Sequence, residues 1–282
     1  MELAVDKSGK RPLVVVQATQ KLLQVDFGEL WRYRELLYFM AWRDVIVRYK
    51  QTAIGASWAV IQPLITMIIF TLIFGVLARV PSDGIPYPVF AFAGLLPWTF
   101  FSQVLTRGGN SVVASSNLVT KIYFPRILLP IAAAAAPAVD FILMFLMLFA
   151  LMAWYHIALT WNLLALPLFL GLAFLTSTAV TLWLSSLNVR YRDVGYIIPF
   201  MSQVWMYASP VVYPASVIPE KWRLLYGLNP MAGVIEGFRW SLLGNGSPDF
   251  KVIAISACVV LVLLIGGLMY FKRVEQTFAD VI

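Results

Sequence analysis

Lys121, Tyr123, Phe124, Pro125 and Arg126 stand together in NLVTKIYFPRILLP, Asn117–Pro130, between two long apolar runs. Two cations do not sit cheaply in hydrocarbon: each costs roughly 2.5–3.5 kcal/mol at mid-membrane even on the gentlest insertion scale. Pro125 lacks an amide proton and restricts Phe124, so a helix is expected to end here. Cations flanking aromatic rings can recognise a partner, with acidic groups meeting the charges and an apolar pocket meeting the rings. Two readings stand at this point: a docking element for another protein, or a basic loop that only sets orientation. A second basic aromatic stretch, Asn188–Tyr196, carries Arg190, Tyr191, Arg192 and Asp193.

Arg107 and Asp140 lie inside apolar runs, where a charge points to function by default. The guanidinium of Arg107 suits phosphate oxygens. It equally suits carbonyls freed by a broken helix, and Asp140 can pair with it. Other chemistry finds no constellation. Asp44, Asp83 and Asp193 are single carboxylates without a neighbouring His or second acid. The one cysteine, Cys258, sits in an apolar run as a packing residue, and the one histidine, His156, leaves no metal cluster. No G-x-x-x-x-G-K-[ST] loop occurs, so ATP is not bound by that route.

The elements that position these residues are membrane helices. Of 282 residues, 61% are hydrophobic and 12% charged, against about 45–50% and about 25% in soluble domains. The +7 net charge is spread over loops between spans, which argues for topology and anionic headgroups and against nucleic acid. The fold class expected is an all-α membrane protein with three parts: an arm over 1–25, an interface helix over 26–50 and a transmembrane domain over 51–282. Leu13–Gln17 reads as a short strand at most. Met1–Arg11 is charged and Leu13–Val16 is too short for a signal-peptide core, so none is expected.

Asp26 and Glu29 have capping-box spacing. Leu30, Tyr33, Leu37 and Met40 then recur at helical spacing, with Trp31, Tyr38 and Trp42 as interfacial aromatics. Six spans are expected, near 57–78, 89–113, 127–155, 163–187, 197–213 and 252–271. Arg107-Gly108-Gly109 predicts a break in the second. Pro214–Pro248 is aromatic yet too short to cross and return. Asn229-Pro230 reads as a helix start and Gly244-Asn245-Gly246 as a stop, so a re-entrant helical hairpin is expected between spans 5 and 6. Glu236 and Arg239 have the spacing of an i,i+3 pair. Arg43, Arg48, Lys50, Lys121, Arg126, Arg190, Arg192, Lys272 and Arg273 all fall on one side of this topology. That side is the cytoplasm by the positive-inside rule, with both termini in it.

Five segments resemble the membrane subunits of type 2 ABC exporters for lipid-linked polysaccharides, the O-antigen, capsule and teichoic-acid exporters. They are RDVIVRYKQTAIGASWAVIQPL (Arg43–Leu64), Leu95–Pro130, LNVRYRDVGYIIPF (Leu187–Phe200), SPVVYP (Ser209–Pro214) and LNPMAGVIEGFRWSLLG (Leu228–Gly244). The resemblance implies a bacterial inner-membrane permease without enzymatic activity. It implies a second copy of the chain as partner, together with two separate ATPase subunits that carry ATP and Mg; this chain binds no cofactor of its own. It makes Asn117, Lys121, Tyr123, Phe124 and Arg126 the coupling element, with Arg190, Tyr191, Arg192 and Asp193 as a second contact. The interface helix, with Trp31, Trp42, Arg43 and Arg48, becomes a lever. A sugar polymer on a polyprenyl pyrophosphate needs a continuous channel. Trp98, Phe100, Phe101, Phe200, Trp205, Tyr207 and Tyr213 are the candidate lining aromatics, and Arg107 the candidate pyrophosphate contact. An exporter of a lipid or drug and a polyprenyl-dependent membrane enzyme are the alternatives.

Overall fold

The computed structural model describes residues 27–50, 55–244 and 248–278, and every regular element among them is helical. The expected arm, Asp26, the possible strand at 13–17 and Asn245-Gly246 lie outside the described residues. The chain begins with α1 (Phe27–Arg32) and α2 (Arg34–Tyr49), then α3 (Gly55–Phe70), which loosens into π-helix over Thr71–Leu77. α4 (Tyr87–Ala114) is followed by the short α5 (Ser116–Lys121), α6 (Leu128–Ala132) and α7 (Ala135–Trp154). α8 (Leu166–Arg190), α9 (Val194–Tyr207), α10 (Glu220–Tyr226), α11 (Pro230–Leu243) and α12 (Phe250–Glu275) complete the bundle.

Five helical segments are long and apolar enough to cross a membrane: 57–77, 87–114, 128–154, 161–190 and 250–275. The expected fifth span takes another form. α9 has 14 residues, about 21 Å at 1.5 Å per residue, against a hydrocarbon core of about 30 Å. Non-helical chain follows it from Ala208 to Pro214.

α4 is the spine. In its most apolar window 78% of residues are buried within the protein, against 17–33% for the other four. The break expected at Gly108-Gly109 does not occur, and α4 runs unbroken to Ala114. The glycines serve packing. A Cβ on Gly108 would stand 2.3 Å from Thr181 Cγ2 of α8, and one on Gly109 would stand 2.5 Å from Ile198 Cδ1 of α9. Absent side chains let two helices lie against the spine at one level.

The non-helical segment 208–214 leaves carbonyls without helical donors in the interior, and Arg239 of α11 supplies them. Its Nε donates to Phe90 O at 3.2 Å, and its Nη atoms donate to the carbonyls of Pro210, Val211 and Tyr213. The guanidinium lies 3.7 Å from the centre of the Phe90 ring. Tyr87 adds a bond from its hydroxyl to Val212 O at 2.7 Å. The expected Glu236–Arg239 pair is therefore replaced. Arg239 is committed to carbonyls, and Glu236 accepts from Asp249 N at 3.1 Å.

α10 and α11 form the expected pair of short helices. Asn229 caps α11, accepting from Met231 N at 3.1 Å, with Pro230 in the first turn. The Asn229 side chain also accepts from Trp205 Nε1 at 3.0 Å and donates to Ala208 O at 3.0 Å, bolting the hairpin to the end of α9. Gly244 closes α11 in the left-handed conformation, φ 67°.

Arg239→Met is expected to strip donors from several interior carbonyls at about 1–3 kcal/mol each. The purified variant should then unfold at least about 6 °C below wild type, at 2–4 °C per kcal/mol. Arg239→Lys should fall between them, and wild-type melting of Arg239→Met would show that the carbonyls have other donors.

Candidate functional site: a polar cleft and a basic end

One face of α4 carries Trp98, Thr99, Ser102, Gln103, Thr106 and Arg107, at spacings of three and four residues. With Trp58, Gln62 and Thr66 of α3 and Met206 of α9, they line a cleft of about 850 Å³ at the surface of the chain. Arg48, at the end of α2, stands at its rim with Arg107. A charge such as that of Arg107 within a span faces the bundle interior or a water-filled cavity. Sequence reasoning found Trp98 and Arg107 but missed Gln62, Thr66, Thr99, Ser102, Gln103 and Thr106. The recoverable signal was the three-four spacing of hydroxyl and amide side chains along a span.

The expected Arg107–Asp140 pair is corrected by the structure. Asp140, 1% exposed on α7, is held by Arg48: Nε donates to Oδ1 at 3.0 Å, and Nη2 meets Oδ2 in an ion pair. The Tyr49 hydroxyl also donates to Asp140 Oδ1. Burial, and then this hydrogen bond, push the Tyr49 phenol up to about 12, so it remains a donor at neutral pH. The pair fastens the end of α2 to a buried point on α7. Arg107, half-buried in the cleft, makes no ion pair among the described residues.

The aromatic candidates divide. Trp98 borders the cleft but is itself buried, packed against Phe101 at 5.3 Å. Phe101 is wholly buried, edge-on to Trp205 at 5.1 Å, and Phe100 is buried against Phe141 at 5.8 Å, so both are core packing within the chain. Phe200 and Tyr207 are exposed on or near α9. Trp205 and Tyr213 border a second, shallower cleft beside α10.

At the end of the bundle where α4, α8 and α12 finish, α5 and the chain after it present Asn117, Lys121, Ile122 and Tyr123 to the surface, Tyr123 at 76% exposure. Phe124 turns inward, 4% exposed, and joins Met40, Val119, Leu128 and Phe271 in a secondary core. It is therefore not available to a partner's pocket. Arg126 is likewise engaged: its backbone N donates to Glu275 Oε1 at 2.8 Å and its Nη1 to Glu275 O. Arg190, Tyr191, Arg192 and Asp193 are exposed in the α8–α9 turn. Asn188 fixes that turn on α4, donating to Gly109 O at 3.0 Å and Asn110 Oδ1 at 2.9 Å while accepting from Gly195 N at 3.0 Å. Trp31 and Trp42 are exposed along α1 and α2, and Arg43 pairs with Asp44 at 2.9 Å.

The profile of the ABC-2 type transporter family matches residues 35–243, from the second residue of α2 to the last of α11. The chain belongs to that family. Among curated relatives of this ABC-2 member, an O-antigen export system permease protein RfbA of Myxococcus xanthus is 30% identical over 89% of this chain and 97% of its own. A protein of the same name from Klebsiella pneumoniae is 28% identical over 88% and 95%. The polysialic acid transport protein KpsM of Escherichia coli is 24% identical over 83% and 91%. The matched span holds both the cleft and the basic end, so this is a multi-pass membrane chain of a transporter, in which ABC-2 proteins work with an ATPase subunit.

Arg48→Met alone strands a buried carboxylate, which typically costs about 3–5 kcal/mol. Replacing both partners, Arg48→Met with Asp140→Leu, is expected to regain at least half of the melting temperature lost in the single variant. A double variant as unstable as the single one would mean that the pair is not what holds α2 to α7.

Proposed function

We propose that this chain is the permease of an ATP-driven exporter that moves a polyprenyl-pyrophosphate-linked polysaccharide, O-antigen foremost, from the cytoplasm across the inner membrane. Two copies face each other across the α3–α4 cleft and form the channel. The cleft carries the proposal: it opens at the surface of one chain, so a second chain is needed to make it a conduit. Its hydroxyl and amide stripe offers exchangeable hydrogen bonds to sugar hydroxyls, and the exposed Trp58 offers a face for sugar C–H groups. No single deep site holds the polymer in register, which suits a chain that must slide. The names of the relatives supply the substrate class.

Arg107, without an ion pair among the described residues, meets the pyrophosphate as the lipid head arrives. Both termini and the α5 end lie in the cytoplasm, by the placement of cations. There Lys121, Ile122 and Tyr123, with Asn117, dock into an ATPase subunit, and the α8–α9 turn makes a second contact. The α10–α11 hairpin re-enters the outer leaflet. The interface helix, Trp31 and Trp42 in the headgroup layer, carries ATPase motion through Arg48 to α7.

Cells lacking this chain should accumulate lipid-linked polymer inside and lose it from the surface, with wild type restoring display. Arg107→Gln should cut surface polymer at least about tenfold, the effect of about 1.4 kcal/mol, at equal membrane expression. Normal display in the deletion strain would overturn the export reading. Separately, Tyr123→Ala with Lys121→Ala should weaken capture of the ATPase subunit by about 30-fold, the scale of a lost hot spot of about 2 kcal/mol. Phe124 is left intact so that the core is not disturbed. Unchanged capture would move the docking contact to the α8–α9 turn.

A further inference from the structure

α8 and α12 approach closely at a pair of glycines. Gly266 and Gly267 of α12 face Trp183 of α8: a Cβ on either would stand 3.0 Å from the indole, and one on Gly267 also 3.0 Å from Ala179 O. Trp183 Nε1 donates to Leu263 O at 2.9 Å, and the indole stacks on Tyr270 at 5.0 Å and 14°. The two helices run in the same direction, so this seam brings their last turns side by side.

Between those turns is a groove of about 630 Å³ with Val189, Tyr270 and Val274 as its apolar surface and Arg190 and Arg273 at its rim. Neither arginine forms an ion pair among the described residues. Arg190 lies over its neighbour Tyr191, 5.6 Å from the ring centre. Two helix C-termini carry roughly half a negative charge each, so two full guanidinium charges leave the groove attractive to anions.

The exposed face of α12 leads to the same place. Val262, Ile265 and Met269 are exposed at 71%, 59% and 47%. With Arg273 they follow one another at spacings of three and four, so one apolar track ends at one cation. An acyl chain laid on that track puts its headgroup at Arg273 and Arg190.

We propose that this groove binds the phosphate of a membrane lipid headgroup, with the lipid's acyl chain on the Val262–Met269 face. A protein partner fits less well, because the groove continues into a face that only lipid or another apolar span can cover. That the headgroup lies in the cytoplasmic leaflet rests on the orientation proposed above; the site itself does not depend on the export reading. The phosphate can come from an anionic glycerophospholipid or from an isoprenoid carrier, and the test separates them.

The full-length chain, purified in detergent, is examined by native mass spectrometry after addition of phosphatidylglycerol, farnesyl pyrophosphate or phosphatidylcholine. Arg190→Gln with Arg273→Gln is compared with wild type, equal melting temperatures serving as the folding control. Phosphatidylglycerol adducts that fall at least about fivefold in the double variant, an effect of about 1 kcal/mol, while phosphatidylcholine adducts stay level, would establish a glycerophospholipid site. The same fall confined to farnesyl pyrophosphate would assign the site to the carrier. Anionic adducts equal in both proteins would overturn the proposal. So would ATPase capture lost in the double variant with lipid adducts unchanged, since the arginines would then serve a protein contact.

Discussion

Interior chain that is not helical must find donors and acceptors from side chains, and in this protein Arg239 meets that demand. A backbone group left unpaired away from water costs several kcal/mol in hydrocarbon. The chain leaves α9 after Tyr207 and does not resume a long helix until Phe250. One guanidinium reaches carbonyls within that gap, at Pro210, Val211 and Tyr213, and a carbonyl of the facing spine, Phe90 O in α4. Gly94 makes room for it, since a Cβ there would stand 2.2 Å from Arg239 Nη2. Arginine is the side chain suited to this task, because its donors fan out in a plane and its charge persists when buried. The hairpin, the non-helical segment and the start of α4 are thus one mechanical unit.

The same economy explains why α4 can bear a polar face. It is enclosed by α7, α8, α9 and α11, and Gly108 and Gly109 bring α8 and α9 in close. Enclosure on most of its circumference fixes the helix without help from the remaining strip. That strip is free to carry Thr99, Ser102, Gln103 and Thr106. Some of these groups are held within the protein: Thr106 Oγ1 turns back to donate to Ser102 O at 2.9 Å, and Ser102 Oγ accepts from Ser202 Oγ of α9 at 2.7 Å. A face so arranged remains polar yet rigid, as a lining must be if its shape is to persist while a solute passes.

Features that depend on local chemistry were legible in the sequence. Hydropathy marked the long helices, Asn229-Pro230 marked the start of α11, and the basic turns fell where charge and proline placed them. Features that depend on distant partners were not. Arg48 and Asp140 are separated by 92 positions, and nothing nearby in the chain distinguishes Arg48 from Arg107 as the partner of that carboxylate. Gly108-Gly109 is a signal with two meanings, a break or a close approach, and only the presence of Thr181 and Ile198 selects between them. Phe124 and Tyr123 are adjacent aromatics with opposite fates, because the chain after α5 is extended at Ile122 and successive side chains there point to opposite sides. Phe100 and Phe101 were read as lining on residue type alone, whereas their positions on α4 turn them toward the core.

Charge at the basic end follows a sorting rule that the structure makes explicit. A cation near buried backbone or a buried acid is consumed by it, as Arg126 is by the end of α12 and Arg48 by Asp140, since leaving either partner alone would cost more than the pair gains. A cation on a turn or at a helix end facing outward, such as Lys121 or Arg192, keeps its donors for whatever approaches. Arg107 falls between these classes: it sits within a span, is half-buried and has no ion pair among the described residues, its neighbouring carboxylate being held by another arginine. An unneutralised charge at such a depth is stable only if water reaches it or an anion visits. The cleft provides the first condition, and an exporter of pyrophosphate-linked chains would provide the second. Packing among the described residues therefore does not by itself explain the placement of Arg107.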